Sequence, residues 1–224
     1  MKVRNIKKVF LIVIGTLVSF VSLANNVHEF EGKLLNLQHD WANANYMLKG
    51  DLQENSFDEL IIQAEGLVSD YPKRAETWIW QGIIQSSYAG AKGGLGALSL
   101  AKKAKKSFEK ALGIDDGALN GSAFTSLGTL YHKAPGWPIA FGDDDDAQEF
   151  LKKAVAMNPE GIDPNYFYGE FLYDEGEYEM SYEYLHKAQK APARKARPIA
   201  DKYRQNEIQV LLTKVEKKLA SKRH

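Results

Sequence analysis

The chain has no cysteine among its 224 residues, so a disulfide, a thiolate metal site and a thiol nucleophile are all excluded. It also has no net charge. Its 29 Lys and Arg stand against 29 Asp and Glu, which argues against a nucleic-acid binder, whose surface is ordinarily basic enough to release phosphate counterions. No stretch alternates with the period of two that marks a half-buried strand. Enzyme motifs are missing as well. Gly93-Gly94-Leu95-Gly96 follows no strand and lacks the Gly-Lys-Ser/Thr of a phosphate cradle, and there is no Gly-x-Ser-x-Gly elbow. The five histidines (28, 39, 132, 186, 224) have no metal-ligand spacing. A non-enzymatic protein with neither cofactor nor metal is expected. What remains, 44% hydrophobic and 26% charged residues, is the composition of an ordinary globular protein.

The charge balance is uneven along the chain. Lys2, Arg4, Lys7 and Lys8 precede an apolar stretch from Val9 to Leu23 that ends at Ser22-Leu23-Ala24, small residues at the positions a signal peptidase inspects. Residues 1–24 therefore read as a secretory signal cleaved after Ala24, the alternative being an uncleaved N-terminal anchor. Removing four bases from 29 leaves 25 against 29 acids, so residues 25–224 carry a net charge of −4. An exported, cysteine-free and hence unlipidated protein fits a Gram-negative periplasm most simply.

From Val27 onward nearly every segment has helical periodicity, and self-similarity specifies the architecture. Phe124-x2-Leu127-Gly128-x2-Tyr131, then Ala147-x3-Leu151-x2-Ala154 and Pro159, follow the tetratricopeptide pattern. Asn165-x2-Tyr168-Gly169-x2-Leu172 with Ser181-x3-Leu185-x2-Ala188 and Pro192 repeats it, and Trp78-x2-Gln81-Gly82-x2-Gln85 with Ala104-x3-Phe108-x2-Ala111 is an earlier copy. The small residues Gly82, Gly128 and Gly169 on first helices, and Ala104, Ala147 and Ser181 on second helices, let antiparallel helices approach closely. No hairpin buries its apolar face alone, so stacking into a superhelix with one concave face is expected. The fold class is all-α: a tetratricopeptide-type solenoid of about four hairpins (about 41–74, 75–117, 118–160 and 161–194) with a C-terminal capping helix over 195–222.

The copies differ in length. Gly169 to Ser181 is 12 residues, Gly128 to Ala147 is 19 and Gly82 to Ala104 is 22, so insertions of about 7 and 10 residues fall at equivalent points of two hairpins. Such insertions are expected to emerge on one edge, often the binding edge. One is Pro135-Gly136-Trp137-Pro138-Ile139-Ala140-Phe141-Gly142; the other includes Gly90, Gly93, Gly94 and Gly96.

Residues one position away from the packed Phe124, Gly128 and Tyr131 should face the concave groove. They are Thr125, Thr129 and His132; the equivalents are Ile79, Ile83 and Ser86 in the first copy and Tyr166, Glu170 and Tyr173 in the third. A groove of this mixed character suits a small amphiphile, a peptide or a partner helix, unless these side chains pack only on the next hairpin or the terminal helix. Trp137 either plugs its own loop or, with Phe141, folds down over a ligand or a partner. Asp143 to Asp146 suits the N-terminus of a helix; a calcium loop would need the spaced ligands and distal Glu of an EF-hand, which are absent.

Leu95 to about Leu211 resembles the T-component proteins of tetratricopeptide-associated TRAP transporters. The resemblance is carried by Pro135-Gly136-Trp137-Pro138 with Phe141-Gly142-Asp143, by Asn158-Pro159-Glu160-Gly161-Ile162-Asp163 and by Asn165-Tyr166-Phe167-Tyr168-Gly169. It implies a periplasmic helical protein that partners a solute-binding protein, can form homo-oligomers and has a pore or cleft for a hydrophobic or organic-acid ligand. Family members are often lipoproteins, from which a cysteine-free chain departs. The alternative is a general cell-envelope assembly scaffold that binds peptide segments.

Overall fold

A computed structural model describes the backbone of residues 6–222 and the side chains of residues 27–222 except Leu95. The export signal expected over 1–24 thus lies outside the described side chains. Among the described residues the chain forms no strand. Its helices are α1 (Ile6–Met47), α2 (Asp51–Asp70), α3 (Ala75–Lys92), α4 (Gly94–Leu112), α5 (Ser122–Lys133), α6 (Asp144–Met157), α7 (Ile162–Asp174), α8 (Tyr178–Lys190) and α9 (Pro198–Ser221), with a short 3-10 turn at Ala118–Asn120. Helices α3 and α4, α5 and α6, and α7 and α8 pair as hairpins, α2 lies against both α1 and α3, and the hairpins stack in chain order. This is the all-α helical-hairpin solenoid that the repeats specify.

The close approach within each hairpin is visible at the small residues. A Cβ placed on Gly128 would lie 2.6 Å from Leu151 Cγ and 3.0 Å from the Ala147 carbonyl, and one on Gly169 would lie 2.9 Å from Leu185 Cγ. Ala104, Ala147 and Ser181 are fully buried, and the Ser181 hydroxyl donates to the Gly169 carbonyl at 2.7 Å. A serine is tolerated there because its one polar group is satisfied inside the hairpin.

The first insertion is not a loop. Its residues lengthen the helices, so that α3 and α4 have 18 and 19 residues against 13 each for α7 and α8. Gly93 and Gly94, at φ of 66° and 60°, make the reversal in the smallest possible space, while Gly90 and Gly96 remain helical. Only the second insertion is a loop. Its neck is closed by Gly142 N–H donating to the Pro135 carbonyl at 2.9 Å and Asp143 N–H donating to the Tyr131 carbonyl at 3.2 Å.

Helix α9 does more than cover the last hairpin. Ile208, Leu211, Leu212 and Val215 pack with Tyr166 and Leu185 of α7 and α8, while Ala200 joins the core of α1, α2 and α3. Tyr203 stacks on Tyr46 of α1 with ring centres 4.8 Å apart, and His39 Nε2 is 2.6 Å from the Ala196 carbonyl oxygen. The two ends of the solenoid are thereby tied together.

Candidate functional site

Helices α3, α5 and α7 turn one face toward an open cavity of about 700 Å3, which α1 and α9 also border. Trp41 and Tyr46 come from α1, Trp80 and Ile83 from α3, Thr125 and Thr129 from α5, and Phe167 from α7. The wall is less polar than its hydroxyls suggest. Thr129 Oγ1 donates to the Thr125 carbonyl at 2.9 Å, Ser86 Oγ to the Ile83 carbonyl at 3.0 Å, and Trp41 Nε1 to Ser87 Oγ at 2.9 Å. Those donors are already used by the protein. At the rim, Leu119 and Asn120 adopt φ of 49° and 55°, a conformation that costs a leucine roughly 1–2 kcal/mol. Strain of this kind collects where function requires a particular backbone path.

One side of the cavity holds Arg194, Arg197 and Arg204. Asp163, at the start of α7, bridges Arg194 (2.5 Å) and Arg204 (3.0 Å); Asp201 takes Arg194 at 2.6 Å and Glu207 takes Arg204 at 2.7 Å. Burial alone would favour a neutral Asp163, but the charges of Arg204, Arg194 and Arg197 outweigh it and hold this carboxyl far below its ordinary range. Arg197 differs. Among the described residues it has no carboxylate within ion-pair distance; instead its guanidinium lies 5.0 Å from the centre of the Trp80 ring and 6.0 Å from that of Trp41. Its Nε, and Trp80 Nε1, are buried without hydrogen-bond partners. Burial, and then the charge of Arg194, lower the Arg197 pKa.

The sequence did contain a signal for these residues. Arg204 shares the buried stripe of α9 with Ala200 and Ile208, one helical turn to either side, and Arg197, seven residues before Arg204, is the residue that immediately precedes the helix. A capping role for 195–222 does not by itself single them out.

Of the residues assigned to the groove from sequence, Ile83, Ser86, Thr125 and Thr129 line the cavity together. Ile79 does not: it is fully buried among Ala75, Ala111, Ala118 and Ala123, between hairpins. Tyr166, Glu170 and Tyr173 do not line it either. Tyr166 packs into the core beneath α9, where burial raises its phenol pKa, and the cavity instead meets Asp163 and Phe167. The reason is α9, which lies over the Tyr166 stripe and covers that length of the concave face.

His132 also stands apart from the cavity lining. Its Nδ1 is 2.9 Å from Asp144 Oδ1 and its Nε2 2.9 Å from Asp174 Oδ2, with its ring edge-on to Phe171. Lys133 reaches the same Asp174 oxygen at 2.9 Å. Burial works against the Asp174 carboxylate, but the hydrogen bonds from His132 and Lys133 outweigh it, so its pKa is lowered. The cluster straps α5 to the starts and ends of its neighbours. Among the described residues, His132, Asp144 and Glu175 place potential metal-ligand atoms within 4.8 Å of one another, although a metal would have to displace a carboxylate from the imidazole. Asp143 caps α6, its carboxylate accepting from Asp146 N–H at 3.0 Å, with Asp144, Asp145 and Asp146 in the first turn.

In the loop, Trp137 neither plugs its turn nor folds down: it is 89% exposed, and Ile139 is 66% exposed. Phe141 alone turns inward, edge-on to Tyr131 at 5.5 Å. The neck hydrogen bonds aim the tip away from the body.

No family model matches the chain, and no curated protein does. Among solved structures, the crystal structure of MamA is similar at 19% identity, covering 75% of this chain and 91% of that one, with a TM-score of 0.44. The Pseudomonas aeruginosa PilF structure is similar at 13% identity, covering 84% of this chain and 89% of that one, with a TM-score of 0.36.

Proposed function

We propose that the chain is a non-enzymatic tetratricopeptide-type protein of the periplasm that docks a protein partner and holds a small amphiphile in its central cavity. The observation that supports this best is the open cavity of about 700 Å3 lined by five helices and the segments that join them, within the range of small-ligand sites, roughly 300–1,000 Å3. Its walls combine indole and phenyl faces with a small number of polar anchors, as such sites do. The partner is proposed to be a solute-binding protein of a TRAP transporter, a reading that rests on the resemblance of the loop and of the segment from Asn158 to Gly169. Exposed Trp137 and Ile139 supply an aromatic and an aliphatic anchor on a loop pinned at its neck.

Native mass spectrometry of the protein purified from its own host tests the reading. A bound small molecule at stoichiometric level, lost in Thr129→Trp, supports it, and its absence counts against a ligand role. A photo-crosslinker at position 137 that captures a solute-binding protein identifies the transport partner. Capture of peptide segments from assorted envelope proteins favours a general assembly scaffold. Release by osmotic shock with an N-terminus at Asn25 tests location.

A further inference from the structure

Away from the cavity, His132 holds both of its ring nitrogens against carboxylates, Nδ1 at 2.9 Å from Asp144 Oδ1 and Nε2 at 2.9 Å from Asp174 Oδ2. The side chain is only 11% accessible and its ring stands edge-on to Phe171, so packing fixes where both nitrogens point. A neutral imidazole carries a single N–H and satisfies one of two such acceptors. Asp174 is the one placed to receive it, because Lys133 anchors the same carboxylate oxygen at 2.9 Å. Nδ1 then presents a lone pair to Asp144, an acceptor facing an acceptor. A proton or a metal ion between them resolves that contact, and a third group favours the metal. Glu175 places a carboxylate oxygen within 4.8 Å of the ligand atoms of His132 and Asp144, a ligand that a proton does not need.

We infer that His132, Asp144 and Glu175 bind a zinc ion, with Asp174 as the carboxylate that orients the imidazole. A ring nitrogen on the metal and the other ring nitrogen donating to a carboxylate is the usual setting of a zinc-bound histidine. The imidazole also selects against calcium and magnesium, which take oxygen ligands throughout. Ligand atoms about 2.0–2.2 Å from a tetrahedral zinc ion stand about 3.3 Å apart. Asp144 therefore gives up its hydrogen bond to Nδ1 through a small shift and stays as a ligand, while Glu175 closes in from the exposed end of α7. The first turn of α6 adds the negative charges of Asp145 and Asp146, whereas Lys133 is engaged with Glu170 and Asp174. Asp144 directly follows the residue whose N–H closes the neck of the Trp137 loop, so the ion would fasten the base of that loop to α7. No metal is expected from the spacing of residues, because Glu175 lies 43 positions beyond His132 and only the stacking of α7 on α5 brings them together.

The test uses the purified, untagged protein stripped with a chelator, titrated with zinc chloride in a calorimeter and with cobalt(II) in a visible spectrometer. One zinc ion per chain is expected, undisturbed by a large excess of calcium or magnesium, and cobalt is expected to give the visible bands of nitrogen and oxygen ligation. Asp174→Asn should weaken zinc by about 10–100-fold while one ion per chain still binds, as loss of an orienting carboxylate does. His132→Gln and Glu175→Gln should each weaken it further, and Asp145→Asn, in the same acidic turn, should leave it unchanged. Circular dichroism establishes that each variant is folded. Zinc is also expected to slow amide hydrogen exchange at the start of α6 in the wild type and not in Glu175→Gln. Absence of zinc binding overturns the inference. So does binding that calcium displaces equally or that survives both His132→Gln and Glu175→Gln, which marks a counterion of the acidic run. An unchanged affinity in Asp174→Asn overturns the orienting role.

Discussion

Asp163 Oδ1 accepts from Arg204 Nε at 3.0 Å while its Oδ2 pairs with Arg194 at 2.5 Å, so one carboxylate at the start of α7 fastens both the segment before α9 and α9 itself. Asp163→Asn removes the charge that the two guanidinium groups share but leaves Arg194 its Asp201 and Arg204 its Glu207, so it is expected to lower stability by about 1.5–3 kcal/mol, the worth of a hydrogen bond to a charged group, in urea unfolding followed by fluorescence.

The same carboxylate gives a pH signature. Its pKa in the folded chain is depressed, so its contribution is fully present above the unfolded-state value, about 3.9, and is lost as pH falls through the folded value. The stability gap between wild type and Asp163→Asn should therefore be flat from about pH 5 to 8 and narrow only below about pH 4. A gap that closes near neutral pH would contradict the ion-pair geometry.

Glycines in equivalent helical settings should respond with opposite sign. Gly128→Ala would drive its Cβ to 2.6 Å from Leu151 and 3.0 Å from a backbone carbonyl, and is expected to destabilise by about 1–3 kcal/mol despite the gain in helix propensity. Gly32, on α1, has nothing within 4 Å of a built Cβ, and Gly32→Ala is expected to stabilise by about 0.5–1 kcal/mol. Thermal melts of the two single variants check both.

Within the loop, Trp137→Ala should leave the melting temperature almost unmoved, within about 0.5 kcal/mol, because the ring is 89% exposed. Phe141→Ala, which loses the Tyr131 contact, should cost about 1.5–3 kcal/mol. The first variant can then be used to probe partner binding without a stability artefact.

His132 fastens α5 to Asp144 of α6 and Asp174 of α7. His132→Ala is expected to cost only about 1 kcal/mol, since both carboxylates are largely exposed, but to speed amide hydrogen exchange in the first turn of α6. Unchanged exchange there would mean that Asp143 alone holds the helix start.

What could be read from the residue order follows from local geometry. Helical periodicity and the small residues Gly82, Gly128, Gly169, Ala104, Ala147 and Ser181 determine the hairpins, because contact between antiparallel helices at that spacing requires them whatever lies outside the hairpin. Ile83, Thr125 and Thr129 could be placed on the concave face for the same reason. The length of the glycine-rich insertion could be counted from the residue order, but not that it lengthens α3 and α4: Gly90 and Gly96 weaken a helix locally, whereas packing between the two helices keeps both helical.

The tertiary structure alone decided what the concave face became. Helix α9 is the last element in the chain, and its amphipathic pattern records that it packs without recording on what. Its return to α1 through Tyr203 and Tyr46 closes the superhelix, buries Tyr166 in place of exposing it, and brings Arg197 over Trp80, a residue more than a hundred positions earlier. Such pairings depend on the summed rotation and stacking of every hairpin between them, which no local spacing encodes.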